Sequence, residues 1–190
     1  MRALRLLLVG FVAAVSLGGC TPVHAPTGER GRSELGRGSL FHAGWTWTDE
    51  QGRAVTFAQW RGTPIVVATI YTTCVRTCPG TLTDFRKLFD AFLREKREAQ
   101  FLLVTLDPAV DTPARLREFK EARGLPEPWR LLSGSAAQTR ELTDLLDIHV
   151  MDIDVHVLHD AKITIVDPDG GLRRSFSRGD LDGPLDPVRF

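Results

Sequence analysis

Two cysteines four positions apart are the most chemically capable feature of this chain. Cys74-Val75-Arg76-Thr77-Cys78-Pro79 follows a continuous apolar, β-branched run at residues 64–71 and precedes residues 80–97, where apolar side chains recur at helical spacing. The pair therefore stands at a strand-to-helix junction. Thiols at a helix N-terminus feel the positive end of the helix dipole, which favours thiolate. Arg76 between them adds further positive charge. Thiolate is both the nucleophile of disulfide exchange and a soft metal ligand. The spacing lets the two sulfurs converge on each other or on one ion. A purely structural disulfide here would close a very small loop, and the stabilisation gained by loop closure shrinks with loop length. A staple is thus the weaker use of the pair.

Imidazoles are available further along. His149, His156 and His159 lie within one short segment, and spacing alone does not choose among them. In an extended segment His156 and His159 point to opposite faces, so at most one of those two meets the cysteines. Two thiolates and one imidazole form a soft, low-coordinate set that suits Cu(I), and Cu(II) with an added ligand. Structural zinc normally takes four protein ligands, and no fourth strong candidate stands out.

The elements that must position these groups are legible. Residues 45–57 read as a hairpin turning at Asp49-Glu50-Gln51-Gly52. Residues 64–71 and 101–106 read as strands buried on both faces. Leu82, Phe85, Leu88, Phe89, Phe92 and Leu93 mark the helix after the cysteines, and its phenylalanines are most simply core. Asp111-Thr112-Pro113 opens a second helix, ended by Gly124 and Pro126. Residues 129–132 suit a short strand. Ser135 and Gln138 have capping-box spacing before a third helix. Residues 162–166 and 172–176 form a last hairpin through Pro168-Asp169-Gly170. Strands alternating with helices and then a hairpin imply an α/β sandwich with a mixed sheet. The order suits a thioredoxin-like fold with an added N-terminal hairpin, in which the loop entering the last hairpin faces the cysteine loop.

The third cysteine belongs to a leader. Arg2 and Arg5 precede an apolar stretch, residues 6–15, too short to span a bilayer. Leu17-Gly18-Gly19-Cys20 resembles a bacterial lipobox. Residues 1–19 therefore read as a lipoprotein signal peptide and Cys20 as the lipid-bearing residue, which anchors a protein without a membrane span. Residues 20–40, rich in Gly, Pro, Ser and Arg, read as a flexible tether, and residues 41–190 as the folded domain. With Cys20 lipidated, Cys74 and Cys78 remain as one pair in an oxidising, extracytoplasmic compartment. Lys and Arg number 24 and Asp and Glu 24, so no global field draws the chain to nucleic acid. No repeat argues for a solenoid.

Four motifs together resemble the Sco/SenC family of copper chaperones, which assist copper insertion into cytochrome c oxidase. They are Asp49-Glu50-Gln51-Gly52-Arg53-Ala54-Val55-Thr56; Tyr71-Thr72-Thr73-Cys74 through Cys78-Pro79, similar to the family's CxxxCP site; Asp107-Pro108-Ala109-Val110-Asp111-Thr112-Pro113, similar to its DPxxDTP segment; and His159 at the family's distance before Pro168-Asp169-Gly170. The resemblance implies that Cys74, Cys78 and His159 are copper ligands and singles out His159 over His156. It also implies a copper chaperone, here anchored through the lipid on Cys20, whose partners are a copper-receiving respiratory oxidase subunit and other copper-carrier or thiol-disulfide proteins. The chain departs from the family at Val75 and Arg76, where Pro and an acidic residue are usual, and at Leu158, where Asp often precedes the histidine. A C-terminal helix common in the family has no counterpart pattern after Gly179-Asp180. The Asp107–Pro113 segment is well explained as a helix start and is read as structural.

A thiol-disulfide reductase acting on the cysteines of a metalloprotein is the alternative, with Cys74 and Cys78 as its redox pair. Such oxidoreductases usually space their cysteines by two residues and carry Pro where this chain has His159. A peroxidase of similar fold needs a Thr three residues before its cysteine, and Tyr71 and Val75 stand there instead. Mass spectrometry of membrane-extracted protein is expected to find a diacylglyceryl group on Cys20; a mature chain that starts elsewhere would contradict the lipoprotein reading.

Overall fold

The computed structural model describes residues 39–74, 78–153, 156–177 and 179–182. The expected leader, Cys20, nearly all of the tether, Val75, Arg76 and the chain after Asp182 lie outside them, as do the side chains of residues 152–158.

Strand β3, Ile65–Ile70, follows from the β-branched run and is buried at every position. Its side chains alternate between two apolar layers, as the pleat requires. Val66, Ala68 and Ile70 pack with Phe85, Leu88 and Phe92, whereas Ile65 and Val67 pack with Trp45, Trp47, Phe57 and Leu142. Helix α1, Cys78–Arg94, covers the first layer with the phenylalanine stripe expected to be core. Phe85 meets Trp129 edge-on at 4.8 Å, and Trp129 stacks on Phe101 at 6.2 Å. Strand β4, Gln100–Thr105, helix α2, Pro113–Ala122, strand β5, Arg130–Ser133, and helix α3, Ala136–Leu145, then follow in the expected order. Thr112 caps α2 before Pro113, and the capping box of Ser135 and Gln138 opens α3.

The N-terminal hairpin, β1 (Trp47–Asp49) and β2 (Ala54–Val55), and the last hairpin, β8 (Lys162–Val166) and β9 (Leu172–Ser177), complete a mixed seven-stranded sheet ordered β2-β1-β5-β4-β3-β8-β9. Strands β3, β4 and β5 are parallel; the two hairpins join them antiparallel. This is the thioredoxin-like α/β sandwich with an added N-terminal hairpin.

Two local expectations need correction. Phe57 does not extend the hairpin. It begins a short 3-10 helix, Phe57–Trp60, because Thr56 and Gln59 form a capping box that turns the chain. A second, two-stranded sheet also exists, β6 (Val150–Ile153) with β7 (His156–His159), where only an extended segment around His156 and His159 was expected. Asp154-Val155 between these strands lacks the Gly that marks a two-residue turn.

The N-terminal motif is structural. Asp49 accepts the N–H groups of Gln51 (3.0 Å) and Arg53 (2.8 Å) and the Arg53 guanidinium (2.7 Å), closing the turn. Buried Glu50 accepts from Lys120 and from the Leu131 N–H, both at 2.9 Å, tying the hairpin to α2 and β5. Burial alone would raise the Asp49 pKa, but the bonds from Arg53 and Gln51 outweigh it and hold the carboxyl below the usual carboxylate range. A depressed folded pKa contributes stability that is complete above the ordinary aspartate value of about 3.9 and is lost as pH falls through the lower folded value. In urea unfolding, wild type is therefore expected to exceed Asp49→Asn by a fixed margin near neutral pH, and the margin is expected to shrink below about pH 4. A margin that stays constant down to about pH 2 would contradict this role.

Candidate metal centre

The antiparallel pairing of β3 with β8, Ala68 opposite Ile163, puts the end of one strand beside the beginning of the other. The cysteine loop leaves the first and the His159 segment enters the second. After Ile70 the chain turns, with the Cys74 N–H donating to the Tyr71 carbonyl at 3.1 Å. Helix α1 then starts at Cys78, whose N–H donates to the Cys74 sulfur at 3.2 Å. The expected influence of the helix terminus thus reaches Cys74 through a direct hydrogen bond from the first amide of the helix.

Cys74, Cys78 and His159 come together, with one ligand atom from each lying within 4.8 Å of the others. Among the described residues no other group of three such side chains is so placed. Both cysteines are fully buried, and His159 is partly so. His159 Nδ1 lies 2.9 Å from the backbone carbonyl of Asp160. A carbonyl can only accept, so Nδ1 carries the proton and Nε2 keeps its lone pair. Nε2 is buried without a hydrogen-bond partner. Among the described residues five buried side-chain polar atoms share that condition, and His159 Nε2 is the one that belongs to this cluster. Burial pushes the imidazole pKa down, only partly offset by Asp160, so the ring is neutral at neutral pH, as a ligand must be.

The two thiols differ. Burial, reinforced by a hydrogen bond with Cys74, pushes the Cys78 thiol far above its ordinary range. Desolvation at Cys78 thus opposes the thiolate that the helix terminus favours. A soft ion that binds Cys78 has to displace its proton.

The other histidines separate as well. His149 is exposed and turned to the Asp160 carboxylate at 2.9 Å, away from any role with the thiols. The His156 side chain lies outside the described residues. Asp160, the acidic residue after the histidine, serves His159 through its backbone carbonyl and His149 through its side chain.

Asp111 was missed. The Asp107–Pro113 segment does start α2, but Thr112 supplies the cap, so Asp111 is redundant for capping. Its fully buried carboxylate instead accepts the Thr72 N–H at 3.0 Å and the hydroxyls of Thr72 and Thr105. Arg115 donates to the Thr72 hydroxyl oxygen at 2.9 Å. A carboxylate from the β4–α2 connection thereby fastens the loop two residues before Cys74. The sequence signal was the acidic residue left over once the cap was assigned.

A mixed-sheet sandwich with Cys-x-x-x-Cys at its first strand-to-helix junction, faced by a histidine from a hairpin, defines a thioredoxin-like protein with a soft three-ligand cluster. The SCO1/SenC family model matches residues 34–184, and the chain belongs to that family. A relative from Stutzerimonas stutzeri, described as a "Putative copper-binding protein", is 33% identical over 121 residues, 60% of this chain and 56% of that one, so the chain spans little more than half of that relative's length. Among solved structures, Bradyrhizobium japonicum ScoI with copper bound is 24% identical with a TM-score of 0.62, covering 71% of this chain and 88% of that one. A SCO1/SenC family lipoprotein from Bacillus anthracis is 22% identical with a TM-score of 0.66, covering 73% and 83%.

Replacing Asp111 with Ala strands two hydroxyls and an amide, and is expected to destabilise the protein by about 2–3 kcal/mol in urea unfolding. A change below about 0.5 kcal/mol would remove it as the anchor of the cysteine loop.

Proposed function

We propose that this protein is a copper chaperone that holds one copper ion on Cys74, Cys78 and His159 and delivers it to the copper-accepting subunit of a respiratory oxidase such as cytochrome c oxidase. The observation that carries the reading is the buried, partnerless Nε2 of a neutral His159 within 4.8 Å of two sulfurs. Such an atom is unfavourable without a partner and satisfied by a metal ion. The fit is also metric. Metal–thiolate and metal–imidazole bonds of about 2.0–2.3 Å place the ligands of one ion about 3.5–4.5 Å apart, so the three atoms need little movement. Two sulfurs and one nitrogen select a soft, low-coordinate ion such as Cu(I), and a tetrahedral structural zinc would lack a ligand.

Delivery is supported by the association of the family with cytochrome c oxidase assembly, and copper binding by the copper-bound structure of Bradyrhizobium japonicum ScoI. The membrane-anchored, extracytoplasmic placement rests on the lipobox and on the Bacillus anthracis neighbour being a lipoprotein. No helix among the described residues is long and apolar enough to cross a membrane.

A second use of the pair is favoured by the hydrogen bond between the Cys74 and Cys78 side chains. It places them for reversible disulfide formation, so that the protein could also reduce the cysteines of a metalloprotein before copper enters. Thiol labelling separates this from an inert pair: two thiols are expected to appear together on mild reduction.

The experiment is copper titration of the reduced full-length protein in detergent. One copper per chain is expected. Cys74→Ser and Cys78→Ser are each expected to nearly abolish binding, because a hydroxyl stays protonated and is a poor soft ligand. His159→Ala is expected to lose Cu(II) while two thiolates retain Cu(I), and His156→Ala to change little. Stoichiometric copper unaffected by His159→Ala in both oxidation states would remove the histidine from the site. A pure reductase would bind no stoichiometric copper.

A further inference from the structure

Tyr71 touches all three of the proposed ligands. Its carbonyl accepts the Cys74 N–H at 3.1 Å and lies 3.8 Å from the Cys78 sulfur. Its ring meets the His159 ring edge-on, with centroids 5.9 Å apart and planes at 70°. Its hydroxyl is hydrogen-bonded to the Cys74 side chain. The ring is partly buried against the layer that contains both cysteines, so the hydroxyl is held there by packing. The next residue, Thr72, is fixed by Asp111, which removes the freedom of the loop to swing the ring away.

We infer that Tyr71 is a positioning residue of this centre, whose hydroxyl donates a hydrogen bond to the Cys74 thiolate and whose ring holds the His159 imidazole edge-on. This rests on the reading of Cys74, Cys78 and His159 as a copper and thiol-disulfide site. A hydrogen bond to a coordinated sulfur draws electron density from the metal–sulfur bond, one of the ways a protein tunes a thiolate-bound metal. The same bond stabilises the reduced form of a dithiol relative to its disulfide, whose sulfurs are poor acceptors. Tyr71 acts through its hydrogen bond to Cys74 and not as a fourth ligand, since its hydroxyl is already engaged there.

The test is Tyr71→Phe in the full-length protein, since Phe keeps the ring and its packing. Two readouts are independent. In the metal-free protein, equilibration with glutathione disulfide transfers two electrons and two protons from Cys74 and Cys78, forms their disulfide and releases two glutathione thiols. The variant is expected to shift this equilibrium toward the protein disulfide by about three- to tenfold, the worth of one hydrogen bond. In the Cu(II)-loaded protein, the sulfur-to-copper charge-transfer band is expected to move to lower energy with one copper per chain retained. An unchanged equilibrium and an unchanged band would overturn the role of Tyr71 while leaving the copper site standing. Loss of copper from a folded Tyr71→Phe protein would also overturn it, by making the phenol a ligand. Wild-type protein that takes up no copper would contradict the copper reading instead, and the glutathione equilibrium would still decide Tyr71.

Discussion

The antiparallel pairing of β3 with β8 is the constraint on which the rest depends. Cys74 and His159 are far apart in the chain, and nothing local brings them together. They meet because the end of β3 lies beside the start of β8 in the register Ala68 opposite Ile163. A shift of one residue would exchange the apolar layers into which the paired side chains of the two strands point. Val66, Ala68, Ile163 and Ile165 all belong to one buried layer, so that shift is strongly opposed. The apolar pattern of two strands therefore sets the position of an imidazole relative to two thiols.

On this frame the centre is built from unlike parts. Cys74 accepts the first amide N–H of α1, and burial pushes the Cys78 thiol pKa up. The His159 tautomer is set by a single backbone carbonyl, and its other nitrogen is left unsatisfied. Asp111 holds the loop through Thr72, and Tyr71 packs its ring against His159. A buried polar atom without a partner breaks the ordinary rule of protein interiors, and such breaches concentrate where a protein binds or reacts. The departures at Val75, Arg76 and Leu158 leave the convergence of the three side chains intact.

The sequence showed most of this where local physics is decisive. A β-branched run bounded by loops became β3, helical spacing of phenylalanines became α1, and Ser135 with Gln138 became a capping box. What it hid depends on contacts between distant segments. The β6–β7 pair has no strong turn signal, and its strands are specified by each other. Three histidines were equivalent by spacing; the family resemblance pointed to His159, and the fold separates exposed His149, paired with Asp160, from His159 beside the thiols. Asp111 read as part of a helix start because its partners, Thr72 and Thr105, lie on other segments of the chain. Phe57 left its expected strand because a capping interaction of Thr56 and Gln59 outweighed β propensity.

The central claim is that two thiolates and one imidazole hold a single copper ion. X-ray absorption of the Cu(I)-loaded full-length protein, compared with His159→Ala, tests it most directly. The account predicts a shell of two sulfurs and one nitrogen in wild type and of two sulfurs alone in the variant. A shell with fewer than two sulfurs, or a nitrogen that persists after His159→Ala, would contradict it.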